Sequence, residues 1–252
     1  MPTAKLVTIS AWSYSRAQTY EACPARAKYL YIDKLKEPDS KSPAMVHGTR
    51  VHALAAAWVT KKLPDFGAWD GKELIPFKTE LERVVKSRTL PAELESFKDE
   101  FAKLRKVKAR CEAMWNLDKN WDLIEGKGWN PHVWLRIKVD AHYIEKKQAV
   151  IHDYKTGKFN PEHAQQRSIY AIGALTFYPE AESVVIYHDY LDQGIEKHDT
   201  WNACDLEKLK KEWTTRTTAL LNDTSFVASP SQSSCRWCSF HQARSGPCKV
   251  GL

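Results

Sequence analysis

Two aspartates and a lysine carry the chemistry of this sequence. Asp140 ends the run Leu135-Arg-Ile-Lys-Val-Asp140, and Asp153-Tyr154-Lys155 follows after a short polar turn. Apolar side chains alternate at Val133, Leu135, Ile137 and Val139, which predicts a strand over 132–143 with Arg136, Lys138 and Asp140 on its other face. A second strand is predicted over 149–155. A turn centred on Lys146-Lys147 pairs Asp140 with Asp153. Residues paired in this way share a face, with Cβ atoms about 4.5–5.5 Å apart, so the two carboxylates repel unless a cation lies between them. Lys155 points to the same side as Asp153. Two acids and a lysine on one face are the parts of a divalent-metal phosphodiesterase site. Magnesium or manganese supplies Lewis acidity and a bound water of lowered pKa, and both ions prefer oxygen donors. Asp140, Asp153 and the backbone carbonyl of Tyr154 are the candidate ligands. Lys155 orients or deprotonates the attacking water, or holds the phosphate. The spacing alone leaves open a plain salt-bridge ladder on an exposed hairpin.

These residues need elements to position them. A helix is predicted over 10–35 from Ser13 or Ser15, and a second over 44–62, stopping before Pro64. Further helical patterns run over 78–88 and from Pro91 to about Leu117, both rich in Lys and Arg. Their basic residues are equally consistent with a solvated face and with a DNA-facing one. From Trp121 the period shifts toward two. Strands are expected at 121–126, 132–143, 149–155, 183–191 and 195–201, with Asp192-Gln193-Gly194 turning the last pair. A helix capped by Asn160, with Pro161 in its first turn, reaches Phe177. It carries Gln166 and Tyr170, four apart and so on one face. Another helix spans 205–221. The expected fold class is α/β: a mixed central sheet flanked by helices, a helical N-terminal region and a Cys-rich tail. The expected organisation is one domain over 1–252, with a helical region at 1–120, the sheet at 121–203 and a C-terminal helix and tail at 204–252.

Gly48-x3-His52, Asp140, Asp153-Tyr154-Lys155-Thr156-Gly157 and Gln166-x3-Tyr170 together resemble the RecB-type branch of the PD-(D/E)XK nuclease superfamily, over roughly residues 10–250. The resemblance implies a restriction-endonuclease-like fold, with His52, Asp140 and Asp153 on the catalytic metal and Lys155 assisting. It places Gln166 and Tyr170 on DNA near the site. Glu125 is a weaker match to a family glutamate. His47 and His152 have no motif role, and His152 is expected to be a packed or exposed strand residue.

Cys235-x2-Cys238 is followed by Cys248 after nine residues, and Cys23 lies far upstream. This layout resembles the iron–sulfur subset of the same nucleases, which includes the CRISPR adaptation nucleases and AddB. It implies that Cys23, Cys235, Cys238 and Cys248 bind a [4Fe-4S] cluster that ties the chain ends together. The long gap before Cys248 keeps a four-cysteine zinc site as the alternative. Cys111 and Cys204 are expected to be small buried bystanders.

The net charge is +7 (38 basic, 31 acidic) and the chain has 252 residues, 43% of them hydrophobic. A large core is possible and a polyanionic partner is favoured. The sequence contains no transmembrane run or signal-peptide core, and a cytoplasmic location in a bacterium or phage is expected. The resemblance implies a metal-dependent deoxyribonuclease, an exonuclease acting on single-stranded DNA or DNA ends, with recombination or CRISPR-adaptation proteins as possible partners. The alternatives are a non-catalytic DNA-binding adaptor and an RNA-directed nuclease on the same core. Trp12, Tyr14 and Tyr20 are candidates for base stacking, although core roles are commoner for aromatics.

Overall fold

The computed structural model describes residues 8–37, 42–65, 71–126 and 130–252. Seven helices carry most of the helical content: α1 (Tyr14–Ala22), α2 (Pro24–Tyr31), α3 (Pro43–Thr60), α4 (Lys78–Lys86), α5 (Lys98–Lys106), α6 (Ala164–Phe177) and α7 (Leu206–Asn222). Five strands, β1 (Arg110–Leu117), β2 (Leu135–Glu145), β3 (Gln148–Lys155), β4 (Ser183–Tyr190) and β5 (Ile195–Asn202), form one sheet in the order β1-β2-β3-β4-β5. β2–β3 and β4–β5 are antiparallel, whereas β3–β4 is parallel. A parallel neighbour needs a crossover connection, and α6 supplies it. This is the expected mixed sheet flanked by helices. None of the described helices is long and apolar enough to cross a membrane.

The helix predicted over 10–35 is two. Ser13 caps α1 through the Arg16 N–H, and the chain leaves helical geometry at Cys23 (φ −166°, ψ 111°) before Pro24 opens α2. Proline disfavours the α region in the residue before it, so Pro24 explains the break. The pattern over 91–117 also divides. A 3-10 turn over Ala92–Phe97 leads into α5, and 110–117 is the first strand. The strand expected at 121–126 is only a bridge between Leu117 and Leu123.

The chain divides into two compact units that alternate along the sequence. One contains 1–40, 116–136 and 210–252 and is centred on tryptophans. Trp12 is fully buried, stacks on Trp213 at 5.6 Å and meets Trp134 edge-on at 5.3 Å. Its main chain pairs with Trp134 and Arg136. Trp12 and Tyr14 are therefore core residues, and Tyr20 is taken up by Asp223 at 2.9 Å, so none of the three is a free stacking platform.

The other unit, 41–115 and 137–209, contains the strand pairs named above. Val51, Ala55 and Trp58 of α3 and Phe101 and Leu104 of α5 pack with Ala141, Tyr143, Val150, Tyr154 and Val185 on one sheet face. On the other face α6 approaches β2 closely at Gly173, where a Cβ would stand 2.7 Å from Ile137 Cδ1 and 2.8 Å from the Trp115 ring. Gly173→Val is therefore expected to lower stability by roughly 3 kcal/mol through overpacking, read as a lower urea midpoint at unchanged slope. Ile137 and Ala141 fall on opposite faces although strict alternation would put them on the same one. The strand thus shifts its parity in the stretch that holds Asp140, as bulges beside active sites do.

Candidate active site

The predicted register of the hairpin is the observed one: Tyr143 pairs with Val150 and Ala141 with His152. The ladder runs from that last pair to Glu145–Gln148, so Asp140 and Asp153, expected from the sequence to face each other within it, lie one step beyond it. The Tyr154 N–H donates to Asp140 Oδ2 at 2.8 Å. Asp140 Oδ1 lies 3.1 Å from His52 Nδ1, which α3 presents four residues after Gly48. Gly48 allows close approach, since a Cβ there would meet Thr156 Oγ1 at 3.1 Å.

Glu112 of β1 completes a cluster that sequence reasoning missed. Ligand atoms of His52, Glu112 and Asp140 all lie within 4.8 Å of one another. Glu112 has φ +54°, an uncommon conformation for a non-glycine residue, and its carboxylate also pairs with Lys138 Nζ at 2.9 Å. No spacing rule marks it, and it follows a Lys-rich helical pattern. Glu125, the weaker sequence match to a family glutamate, is exposed and belongs to the other compact unit. Burial raises the Glu112 pKa, and the Asp140 charge adds to the rise. Burial opposes charge on His52, but Asp140, with Glu112 and Asp153 behind it, outweighs burial and the net shift is upward. A partly exposed imidazole and two carboxylates this close form a donor set suited to a divalent cation.

Asp153 takes different partners. Its Oδ1 accepts from Tyr170 Oη at 2.5 Å, and its Oδ2 lies 2.6 Å from Lys155 Nζ. Lys155 also donates to Gln166 Oε1 at 2.8 Å, and Gln166 Nε2 donates to Tyr170 Oη at 2.8 Å. Asp153, Lys155, Gln166 and Tyr170 thus close a ring of polar contacts between β3 and α6. Burial pushes the Asp153 carboxyl up, yet Lys155 first and then His188 hold its pKa below the usual carboxylate range. The motif side chains of α6 are turned onto the motif acid and lysine. Tyr170→Phe removes one support of Asp153 and should cut hydrolysis roughly 10–100-fold, the usual cost of losing an outer partner of a ligand, with the melting temperature little changed.

His152 occupies the face opposite Asp153. It is fully buried, with Nδ1 2.8 Å from Asp189 and Nε2 3.1 Å from Glu100. On the basic helices, Arg105 sits over the Trp58 ring at 4.8 Å and Lys103 over the Tyr143 ring at 5.4 Å, so these two cations serve packing.

In the tryptophan-centred unit, Cys23, Cys235, Cys238 and Cys248 line one cavity of about 110 Å³, together with Trp237 and His241. None of the four is in a disulfide. Cys23 sits at the break between α1 and α2, and Cys248 is tied to Phe240 and Gln242 by main-chain bonds. The two bystanders differ from expectation. Cys111 lies on β1 with its thiol pKa raised by burial to about 12. Cys204 is exposed rather than buried, because it falls in the 3-10 turn Ala203–Asp205 that leads into α7.

A family model described as the PD-(D/E)XK nuclease superfamily matches residues 11–243. No curated protein matches the sequence. Among solved structures, SSO0001 is 13% identical, with 82% of this chain and 98% of that one covered and a TM-score of 0.35. A candidate exonuclease from Eubacterium rectale is 12% identical, with 84% of this chain and 81% of that one covered and a TM-score of 0.43. Neither likeness is strong enough to bear on what this chain does.

Proposed function

This chain belongs to the PD-(D/E)XK nuclease superfamily, and on that premise we propose that it is a RecB-type, Mg²⁺- or Mn²⁺-dependent deoxyribonuclease, an exonuclease acting on single-stranded DNA or DNA ends. One observation carries the reading: His52, Glu112 and Asp140 converge within 4.8 Å, while the neighbouring Asp153 is paired with a lysine at 2.6 Å. A purely structural cluster has no need of a lysine and a second acid two positions apart on the same strand. In this reading His52, Glu112 and Asp140 hold the cation, and Asp153 and the Tyr154 carbonyl join them. The cation supplies Lewis acidity and a water of lowered pKa. Lys155 orients that water or the scissile phosphate, and Gln166 and Tyr170 keep Lys155 and Asp153 in place beside the DNA. The net charge of +7 suits a phosphodiester substrate.

The match over 11–243 spans both compact units, which supports treating 1–252 as one nuclease domain. The shared cavity supports a metal group on Cys23, Cys235, Cys238 and Cys248, read here as [4Fe-4S] with zinc as the alternative. Four thiolates drawn from both ends of the sequence would close a long loop and anchor a tail that is poor in apolar residues. Anaerobically prepared protein should be brown and contain iron and sulfide. Colourless protein with stoichiometric zinc would reject the cluster.

The functional test is product length over time from 5′- and 3′-labelled DNA with Mn²⁺, with RNA in parallel. Stepwise shortening of DNA from an end supports the proposal. Preferential loss of RNA, or internal cuts only, would overturn the substrate or the mode.

A further inference from the structure

Behind Asp153 runs a buried polar chain that the hydrolytic reading leaves unused. His188 pairs with Asp153 across the parallel β3–β4 ladder and is fully buried. Its Nε2 lies 3.5 Å from Asp153 Oδ2, the oxygen that Lys155 also approaches. On the other side of the ring, Nδ1 lies 3.3 Å from Nη1 of Arg167. Arg167 is itself 7% exposed, and its Nε donates to Asp199 Oδ2 at 2.6 Å.

Hydrogen-bond chemistry fixes the direction of this chain. A guanidinium has donors only and keeps its protons in proteins. Nδ1 of His188 must therefore accept from Arg167, which leaves the one ring proton on Nε2, facing Asp153. Among the described residues Nε2 is enclosed and completes no hydrogen bond, and Asp153 Oδ2, also enclosed, is approached by the Lys155 ammonium at 2.6 Å. A buried donor and a buried acceptor facing each other are costly to leave unjoined. A slightly shorter separation than 3.5 Å would join them.

We propose that His188 is a positioning residue for Asp153, holding its Oδ2 through an Nε2–H whose tautomer Arg167 sets. Tyr170 holds the other oxygen at 2.5 Å, so the carboxylate is fixed from α6 and from β4 at once. This leaves Lys155 free to turn toward substrate without loosening the acid. The proposal rests on the reading of Asp153 as a metal-site residue. It adds that α6 supports the site twice, once through Gln166 and Tyr170 and once through Arg167 and His188.

The test is Mn²⁺ binding to the full-length protein by titration calorimetry, without nucleic acid. His188→Leu removes the donor and keeps bulk, whereas the amide of His188→Gln reaches the Nε2 position. Arg167→Met keeps length and releases the tautomer. His188→Leu and Arg167→Met should weaken Mn²⁺ binding roughly 10–100-fold, as loss of an outer partner does, and His188→Gln should stay within about threefold of wild type. Wild-type affinity in both His188→Leu and Arg167→Met would overturn the proposal. Equal weakening in His188→Leu and His188→Gln that follows their melting temperatures would overturn it too, because it would mark a merely structural role. If His188→Leu does not fold, Arg167→Met and His188→Gln decide the question. Absence of Mn²⁺ binding by the wild type would instead overturn the metal-site reading on which the proposal rests.

Discussion

Asp140→Asn should reduce hydrolysis by more than the roughly 10²–10³-fold typical of losing a single transition-state donor, while the protein stays folded. The residue is 5% exposed, and its side chain has two partners, His52 at 3.1 Å and the Tyr154 N–H at 2.8 Å. Asparagine is isosteric and can still accept from Tyr154, so the end of the β2–β3 hairpin keeps its main-chain satisfaction. It loses the negative charge that makes His52, Glu112 and Asp140 a cation site. The raised pKa of Glu112, caused by burial and then by Asp140, should relax downward in the variant, because one of its two causes is gone. Single-turnover rates with end-labelled DNA, read beside a thermal melt, separate lost chemistry from lost fold. Residues that act as a unit are strongly non-additive, so Asp140→Asn combined with Asp153→Asn should cost little beyond either change alone.

Lys155→Met should lower the single-turnover rate roughly 10²–10⁴-fold, the range for a positioned proton-transfer group, with little change in Mn²⁺ affinity. Lysine is not a ligand, so its loss should appear in the rate. Its Nζ links Asp153 and Gln166 at 2.6 and 2.8 Å, and methionine keeps the stem packed while ending both contacts. A pH signature goes with the rate. Lys155 is the largest of the influences that lower the Asp153 pKa against burial. Removing it moves that pKa up, so protons compete with metal from a higher pH, and the acid limb of the rate profile should shift upward. A rate within tenfold of wild type, or an unmoved acid limb, would contradict this role.

The hairpin was legible because period-two alternation and a symmetric turn leave one register, and Ala141↔His152 lies on it. Gln166 and Tyr170 were legible as one helical face, although the face they meet is Lys155 and Asp153. Less visible was the parity shift in β2, which takes Asp140 to His52 on α3 while Asp153 turns to Tyr170 on α6. A bulge-like step has no residue signature when neither glycine nor proline marks it. Glu112 was hidden for a similar reason. The end of α5 is followed by Lys108 at φ +55°, where a lysine takes the conformation usually given to glycine, so the helical pattern reads straight through into β1. The break at Cys23 was marked by Pro24. The four cysteines were visible by type alone, and only the fold brings Cys23 to the cavity of the other three.

The central claim is that Asp153 belongs to a metal-dependent hydrolytic site. It is tested most directly by incubating wild type and Asp153→Ala, purified in parallel, with end-labelled single- and double-stranded DNA and Mn²⁺. The account predicts product from wild type that EDTA abolishes and excess Mn²⁺ restores, and none above background from Asp153→Ala. Equal hydrolysis by the two proteins, or wild-type hydrolysis that EDTA leaves intact, would contradict it.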